Sequence, residues 1–370
     1  MGTFIKRLGI KTLSVRDFIL QNVADHPKDI ARLTATTLGI SRVAVTLHLQ
    51  ALIREGLLEA TGKTKSRKYV LKLLIEENFE FQRERLEEHV VWQEKILPLL
   101  SDTPQNVLGI CEHGFTEMVN NAIDHSGSEK VFIHVYRNAA HVGFQIRDRG
   151  VGIFKHIAER CHLSSPRQAI LELSKGKLTT DAAHHSGEGI FFTSRMFDTF
   201  AIGSDTLKFI HWRELDDWLI EDEEQPIEGT EVHLSISNMA THTAKEVFDT
   251  YRAEFDEFGF SKTHIPVMLL KYEGENLISR SQAKRLLSRA DQFKEVTLDF
   301  KDVATIGQPF SDEVFRVYRT KNPEVHMEIV NASEDVKRMI SHVLQGQPIP
   351  PLWTALATLK NKKSKKPKPS

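Results

Sequence analysis

Cysteine is scarce in this sequence, and neither sign of charge is in excess. The two cysteines in 370 residues, Cys111 and Cys161, form no metal-binding or redox motif. This pattern excludes a disulfide framework and predicts a protein of a reducing cytosol, so we expect a cytoplasmic location. Lysine and arginine number 49 and aspartate and glutamate 50, a formal net charge of −1. Any attraction to nucleic acid must therefore come from a local basic surface.

Long apolar runs and internal repeats are lacking as well. The first residues carry no signal-peptide core, and no run approaches the length of a membrane-spanning helix, so we expect no membrane partner. Low complexity is confined to the end of the chain, where residues 350–370 are predicted to form a disordered basic tail. The length and the hydrophobic content of 40% predict two or three domains, each with its own core.

Residues 112–125, EHGFTEMVNNAIDH, are the stretch that points to chemistry. Read as a helix, they place Glu117 and Asn121 four residues apart on one face. A carboxylate and an amide at this spacing can serve an attacking hydroxyl and a hydrated Mg²⁺ side by side, because Mg²⁺ takes hard oxygen ligands together with water and substrate phosphates. An amphipathic helix with a solvated polar face has the same pattern.

A hairpin is predicted directly after this helix. Apolar residues alternate over 130–137 and again over 141–147, and the second strand leads into Asp148, Gly150 and Gly152. An aspartate at a strand end can accept a hydrogen bond from an exocyclic amine, and the glycines let a flat ligand approach the backbone. An ordinary turn is the alternative interpretation.

Two further glycine-containing segments follow in the chain. Gly187 and Gly189 open a predicted helix that reaches residue 196, where exposed backbone N–H groups and the helix dipole attract an anion. Thr230 follows a glycine and precedes an alternating strand. Lys177 lies between these motifs in a basic segment that can reach phosphates or can be a plain loop.

In this order the motifs resemble those of the GHKL ATP-binding fold, which includes DNA gyrase B subunits, MutL, histidine kinases and anti-sigma serine kinases. The resemblance covers roughly residues 100–240 and implies a mixed sheet backed by helices, with ATP and Mg²⁺ between them. The residues that it implies are Glu117 as general base, Asn121 on Mg²⁺, Asp148 on the adenine amino group, Gly150 and Gly152 beside the base, Gly187 and Gly189 facing the phosphates, Thr230 near the adenine, and Lys177 in a lid over 154–185.

The first part of the chain resembles a winged helix-turn-helix domain over residues 12–72. Helices are predicted over 14–24, 27–38 and 41–55, followed by strands over 57–60 and 68–71. The third helix would enter the major groove and the basic hairpin would contact phosphates, which implies double-stranded DNA as a partner. The residues predicted to contact DNA are Arg42, Thr46, Gln50, Lys63, Lys65 and Arg67. A winged helix can instead bind only protein.

The remaining segments are predicted as a connector and a small C-terminal domain. Residues 76–100 read as a connecting helix that couples domains or forms a homodimer. Residues 259–346 read as a βαβαβα layer that resembles the STAS-like modules found beside such ATPases. The predicted strands are 267–271, 296–300 and 327–330, and the predicted helices are 281–288, 309–318 and 333–344.

In phosphorylated STAS proteins a serine starts the helix after the strand, but this chain has Gly307 and Gln308 there, with Thr305 and Ser311 only nearby. This favours a docking module for a protein partner over a self-phosphorylation relay.

The sequence thus predicts an α+β multidomain protein: a winged helix, a 101–240 GHKL α/β sandwich and a small STAS-like α/β domain. The first functional hypothesis is a DNA-binding transcriptional regulator switched by Mg·ATP. The second is a serine/threonine protein kinase or slow ATPase that acts on a STAS-type partner, with Glu117 as base.

Overall fold

The chain forms three successive units of helices and sheets, which confirms the α+β class. The structure is a computed structural model. It describes residues 14–63, 66–178, 188–214, 217–251, 260–271 and 276–344. Of the predicted features, Lys65, Gly187 and the 350–370 tail lie outside the described residues.

The N-terminal unit consists of three helices followed by a hairpin. Ser14 and Ser41 begin the first and third helices, because their hydroxyls accept hydrogen bonds from the backbone N–H of Asp17 and Ala44 at 3.1 and 3.2 Å. Gly39, with φ of 67°, ends the second helix in the left-handed conformation. The elements are α1 (Val15–Asn22), α2 (Ile30–Leu38), α3 (Arg42–Arg54), β1 (Leu58–Thr61) and β2 (Lys68–Leu71).

The middle unit is a five-stranded sheet covered by helices, in the order β3-β4-β5-β7-β6. Each described pairing is antiparallel, whereas the sequence predicted a mixed sheet for this unit. The strands are β3 (Leu73–Gln82), β4 (Lys130–Asn138), β5 (His141–Asp148), β6 (Thr199–Trp212) and β7 (Asp217–Ser237). The helices are α4 (Glu88–Val91), α5 (Gln105–His125), α6 (Ile153–Arg160), α7 (Pro166–Lys175), α8 (Gly189–Met196) and α9 (Ala244–Thr250).

The predicted connecting helix over 76–100 is wrong in its first part. Strand β3 pairs with β4 as an edge strand, with Phe79 opposite Ile133. Phe79 and Phe81 lie on one face with ring centroids 6.0 Å apart, while the other face carries glutamates toward solvent. Helical structure starts at α4 and continues through the turns Trp92–Ile96 and Leu97–Leu100.

The C-terminal unit is a parallel three-stranded sheet in the order β10-β9-β8, with helices between the strands. Its first strand lies at Lys262–Pro266, just before the predicted 267–271, and Val267–Leu270 is a 3₁₀ turn. This run is buried, and burial alone does not distinguish a strand from a turn. The elements are β8 (Lys262–Pro266), α10 (Arg280–Leu286), β9 (Glu295–Asp299), α11 (Gln308–Asp312, continued by Glu313–Tyr318), β10 (His326–Val330) and α12 (Glu334–Val343).

The middle unit contacts both the N-terminal and the C-terminal unit. Ala140, in the turn between β4 and β5, is fully buried in the core of the N-terminal unit, and the Gln21 amide lies 3.1 Å from the Met239 sulfur. The middle and C-terminal units share one hydrophobic core, where the Thr263 hydroxyl donates to the Lys175 carbonyl at 2.8 Å. Among the described helices, none has the length and apolar character to span a membrane.

Candidate functional site

A cavity of about 360 Å³ lies in the middle unit between the sheet and its helices. Its volume is within the range of small-molecule sites, roughly 300–1,000 Å³. The chain brings six predicted residues to its wall from four separate stretches. These residues are Glu117, Asn121, Asp148, Gly152, Gly189 and Thr230.

Asp148 is held rigidly at the cavity wall. It ends β5 opposite Thr230 of β7, and its Oδ1 accepts hydrogen bonds from the backbone N–H of Gly150 at 2.8 Å and of Thr230 at 3.3 Å. The Thr230 hydroxyl accepts in turn from the Ile153 backbone N–H at 3.1 Å. Burial raises the pKa of Asp148 from its ordinary value, and the backbone hydrogen bonds oppose that rise. The result is an oriented, largely desolvated acceptor.

The glycines of this wall allow the close approach of neighbouring backbone. A Cβ on Gly150 would overlap the Ser126 carbonyl, and one on Gly229 would overlap the Asp148 carbonyl. Gly152 has φ of 78°, in the region that favours glycine, and faces the Ser204 hydroxyl. Gly150 does not line the cavity; its N–H group orients Asp148 instead.

Glu117 lies against the first residue of α8. A Cβ on Gly189 would occupy the position of the Glu117 carboxylate, so only glycine permits this approach. The approach depends on the packing of α5 against α8, where Gly114 faces the Phe197 ring and the Thr193 methyl. The arrangement places a carboxylate at the end of α8 that carries a partial positive charge.

Asn121 is half-buried and lines the cavity one helical turn beyond Glu117. The next turn adds His125, whose ring centroid lies 6.1 Å from that of His156 on α6. Burial lowers the pKa of His156 from its ordinary value. Sequence reasoning missed both histidines, although the spacing of four residues from Asn121 to His125 on one helix face could have indicated the first.

Apolar side chains from strands and helices form much of the remaining wall, and the sequence did not indicate that they line a cavity. They are Ile146, Ile153, Ile157, Leu173, Leu178, Ile190, Ile202 and Val232. Within the described ranges, no group of three or more His, Cys, Asp or Glu side chains is arranged to hold a metal ion. A metal here would need ligand atoms from a bound substrate, as Mg²⁺ commonly does.

Lys177 does not itself line the cavity, although its neighbour Leu178 does, and its contact with phosphate stays a prediction. Its Nζ donates to the Gln292 carbonyl at 2.9 Å and lies 4.8 Å from the Phe293 ring centroid and 5.5 Å from that of Phe260. These contacts belong to the C-terminal unit. Cation–π attraction to these two rings, which are distant from Lys177 in sequence, stabilises this position of the ammonium group.

The residues predicted to contact DNA lie on the surface of the N-terminal unit. Arg42, Thr46 and Gln50 are exposed on α3, and the Thr46 hydroxyl donates to the Arg42 carbonyl at 2.8 Å. Lys63 and Arg67 flank the hairpin connection, with the Arg67 guanidinium 5.3 Å from the Tyr69 ring centroid.

Comparison with known families identifies one part of the chain. A family model described as the STAS-like domain of unknown function (DUF4325) matches residues 282–337. The matched stretch runs from within α10 through β9, α11 and β10 into α12. The C-terminal unit therefore contains a STAS-like domain, as predicted for the larger span 259–346. A comparison with curated proteins finds no match.

Proposed function

We propose that this protein is an ATP-dependent regulator in which a GHKL-type middle unit binds Mg·ATP and controls DNA binding by an N-terminal winged helix. The observation that carries the proposal is the convergence of distant motifs on one cavity. A desolvated carboxylate, Asp148, lies at one part of the wall, and the N-terminus of α8 begins at Gly189 on another. A hydrogen-bond acceptor for a base and a partial positive charge for phosphates are the two features that a nucleotide needs.

The residues present fit such a ligand. The Oδ1 atom of Asp148 is engaged by two backbone N–H groups, so the carboxylate keeps one orientation and can accept from an exocyclic amine. Gly152 and Gly189 line the cavity, and because they lack a Cβ, the Ser204 hydroxyl and the Glu117 carboxylate can lie close to the backbone there. Apolar side chains such as Ile146 and Ile202 supply a surface for a flat base.

Bound Mg·ATP would supply the transferable phosphoryl group and the metal charge. Asn121 would give an amide oxygen to the metal, and Thr230 would contribute its hydroxyl beside the base. Glu117 can take a proton from a hydroxyl group or from water.

Two paired strands connect the cavity to the N-terminal unit. β5 follows Ala140 and ends at Asp148, and β7 pairs with it from Thr230 opposite Asp148 to Ser237 opposite His141. Ala140 is buried in the core of the N-terminal unit. ATP binding at the cavity can therefore shift the position of the N-terminal unit. The size of this shift in equilibrium is set by the difference in ATP affinity between the two arrangements.

The test measures DNA affinity at fixed salt with and without Mg·ATP, for wild type and Asp148→Asn. Both backbone N–H groups need an oxygen acceptor in the Oδ1 position, so the substituted side chain would turn its amide oxygen toward them. Its NH₂ group would then face the cavity, where it would meet the donor amine of the base. We expect ATP to change the Kd for DNA in wild type and not in the variant. An unchanged Kd in wild type would reject the switch.

A protein kinase or slow ATPase is the second candidate, and the position of Glu117 favours it. The carboxylate lies beside the N-terminus of α8, where a phosphoryl group would be held. The STAS-like domain offers Gly307 and Gln308 at the start of α11 rather than a hydroxyl, so an acceptor on a separate protein partner fits better than one in cis.

This candidate is tested with γ-labelled Mg·ATP, using Glu117→Gln and, as a control on the same helix, the exposed Glu112→Gln. Label transferred to protein or released as phosphate in wild type and Glu112→Gln, but not in Glu117→Gln, would make Glu117 the base. Label that stays on ATP in all three proteins would leave the switch as the function.

A further inference from the structure

We propose that α3 recognises thymine methyl groups in double-stranded DNA through the exposed side chains of Val43 and Leu47. The inference rests on the proposed DNA binding and adds the base preference and the residues that determine it.

The row of residues on α3 that points furthest from the core, called here the outermost line, is apolar in its N-terminal half. Spacings of four, three and four residues place Val43, Leu47, Gln50 and Arg54 along one side of the helix. The opposite side, which includes Val45, is buried in the core of the N-terminal unit. The residues at the centre of the exposed face are therefore Val43 and Leu47, whereas Arg42 and Thr46 lie on its flank.

Val43 and Leu47 are unusually exposed for their size. Their exposed fractions are 72% and 61%, the highest of the large apolar side chains in the described ranges. They lie one turn apart, so they form one continuous apolar surface. The polar neighbour Thr46 directs its hydroxyl to the Arg42 carbonyl of the same helix. Hydrogen bonding to base edges is thus left mainly to Gln50.

The charge around this apolar pair fits DNA. Helix α3 contains no acidic residue, and Arg42 and Arg54 stand at its two ends. Glu55, just beyond the helix, is paired with Arg16. Arginines at both ends of a reading helix can contact phosphates while its centre faces the bases.

The major groove offers one apolar group, the C5-methyl of thymine, for such a pair to contact. A protein partner fits less well, because a stable protein interface buries roughly 800 Å² on each side. The exposed apolar surface of α3 consists of two side chains between arginines.

Burial of one methyl group contributes about four-fold in affinity, from the transfer free energy of a CH₂ group. Deoxyuridine pairs as thymine does and lacks only this methyl. It therefore isolates the contact that is proposed here from base pairing and from phosphate contacts.

The experiment uses the full chain to select duplexes from a random-sequence pool, with and without Mg·ATP, and then measures the Kd for an enriched duplex at fixed salt. Each thymine is replaced singly by deoxyuridine. We expect one or two replacements to weaken binding to wild type about four-fold. Each of these replacements should lose its effect in one variant, Val43→Ala or Leu47→Ala, according to which side chain contacts that thymine.

His48→Ala is the matched control, because His48 is exposed on α3 away from the outermost line. It should keep the deoxyuridine sensitivity of wild type. Selective DNA binding that no deoxyuridine weakens would overturn the methyl contact and leave the proposed function standing. A deoxyuridine effect that persists at the same thymine in both alanine variants would also overturn it. Failure to bind or enrich any duplex would overturn both proposals together.

Discussion

Lys175 and Glu172 form an ion pair in the interior of the protein, with Nζ and Oε1 2.8 Å apart and side-chain exposures of 1% and 0%. The lysine also donates to the carbonyls of Arg285 and Ser288, at 3.2 and 3.0 Å. Burial lowers the pKa of Lys175, and the Glu172 carboxylate opposes that change. The Lys175 charge is thereby neutralised by Glu172 at the place where the middle unit contacts the C-terminal unit.

Lys175→Met should destabilise the protein strongly. The substitution leaves Glu172 as a buried charge without its main partner, and the loss of one partner of a buried pair costs about 3–5 kcal/mol. The double variant Lys175→Met with Glu172→Leu should recover part of this loss, because the fully buried carboxylate is gone and the charge that loses it as a partner, Arg289 at 3.7 Å, is partly exposed. Denaturant unfolding of the three proteins measures the difference.

Lys337→Met is the matched control for this prediction. Lys337 and Glu334 have the same spacing and the same 2.8 Å distance, but they are exposed to solvent. We expect no measurable change, since water screens such a pair. Equal effects of the buried and exposed substitutions would contradict the role of desolvation.

Asp148→Asn should change how stability depends on pH. Because the folded-state pKa of Asp148 is raised above its ordinary value of 3.8, the unfolded chain releases this proton first as pH rises. The wild type should therefore lose stability relative to the variant from about pH 3.8 up to the folded-state pKa, with a constant difference above it. Urea unfolding of both proteins over this range measures the change.

Asp299→Asn should change the pH dependence of stability in the direction opposite to that of Asp148→Asn. Desolvation raises the pKa of Asp299, but hydrogen bonds from His264, Asn331 and the Lys301 backbone outweigh it and leave the pKa lowered. The contribution of Asp299 is present above its ordinary pKa and is lost as pH falls through the folded-state value. The assigned environments would be contradicted if the stability difference between wild type and variant changed with pH in the same direction for Asp148→Asn and Asp299→Asn.

Gly114→Ala should damage the site, whereas Gly109→Ala should not, although both lie in α5. A Cβ at Gly114 would overlap the Phe197 ring, and overpacking of this kind costs about 1–3 kcal/mol. Gly109 faces open space, so alanine should stabilise the helix by about 0.5–1 kcal/mol. Separation of α5 from α8 would also move Glu117 away from Gly189, so labelled-ATP binding should weaken only in Gly114→Ala.

Sequence predicted the β4–β5 hairpin well because its burial pattern is simple. Val131, Ile133 and Val135 alternate with polar residues, and Asp148 then falls at the end of the partner strand. The edge strand β3 was not predictable in the same way. Its solvent face carries the glutamates Glu76 and Glu80, which are typical of charged helices, and only its pairing with β4 makes it a strand.

The site was predictable in part for a related reason. Glycines and polar residues whose role is local, such as Gly150 beside Asp148, can be read from short motifs. The apolar wall and the His125–His156 pair depend on which elements meet in space. Sequence spacing within one element does not contain that information.

Lys177→Met distinguishes the contact that the sequence predicted from the one in the structure. Its Nζ donates to the Gln292 carbonyl, 115 residues later in the chain, and lies over the Phe293 ring. The loss of this hydrogen bond and cation–π contact should cost about 1–2 kcal/mol in stability and leave ATP affinity unchanged. The exposed Lys155→Met on α6 is the control and should change neither quantity. Weaker ATP binding with unaltered stability would instead place the Lys177 ammonium on the phosphates, because a phosphate contact acts on the bound state alone.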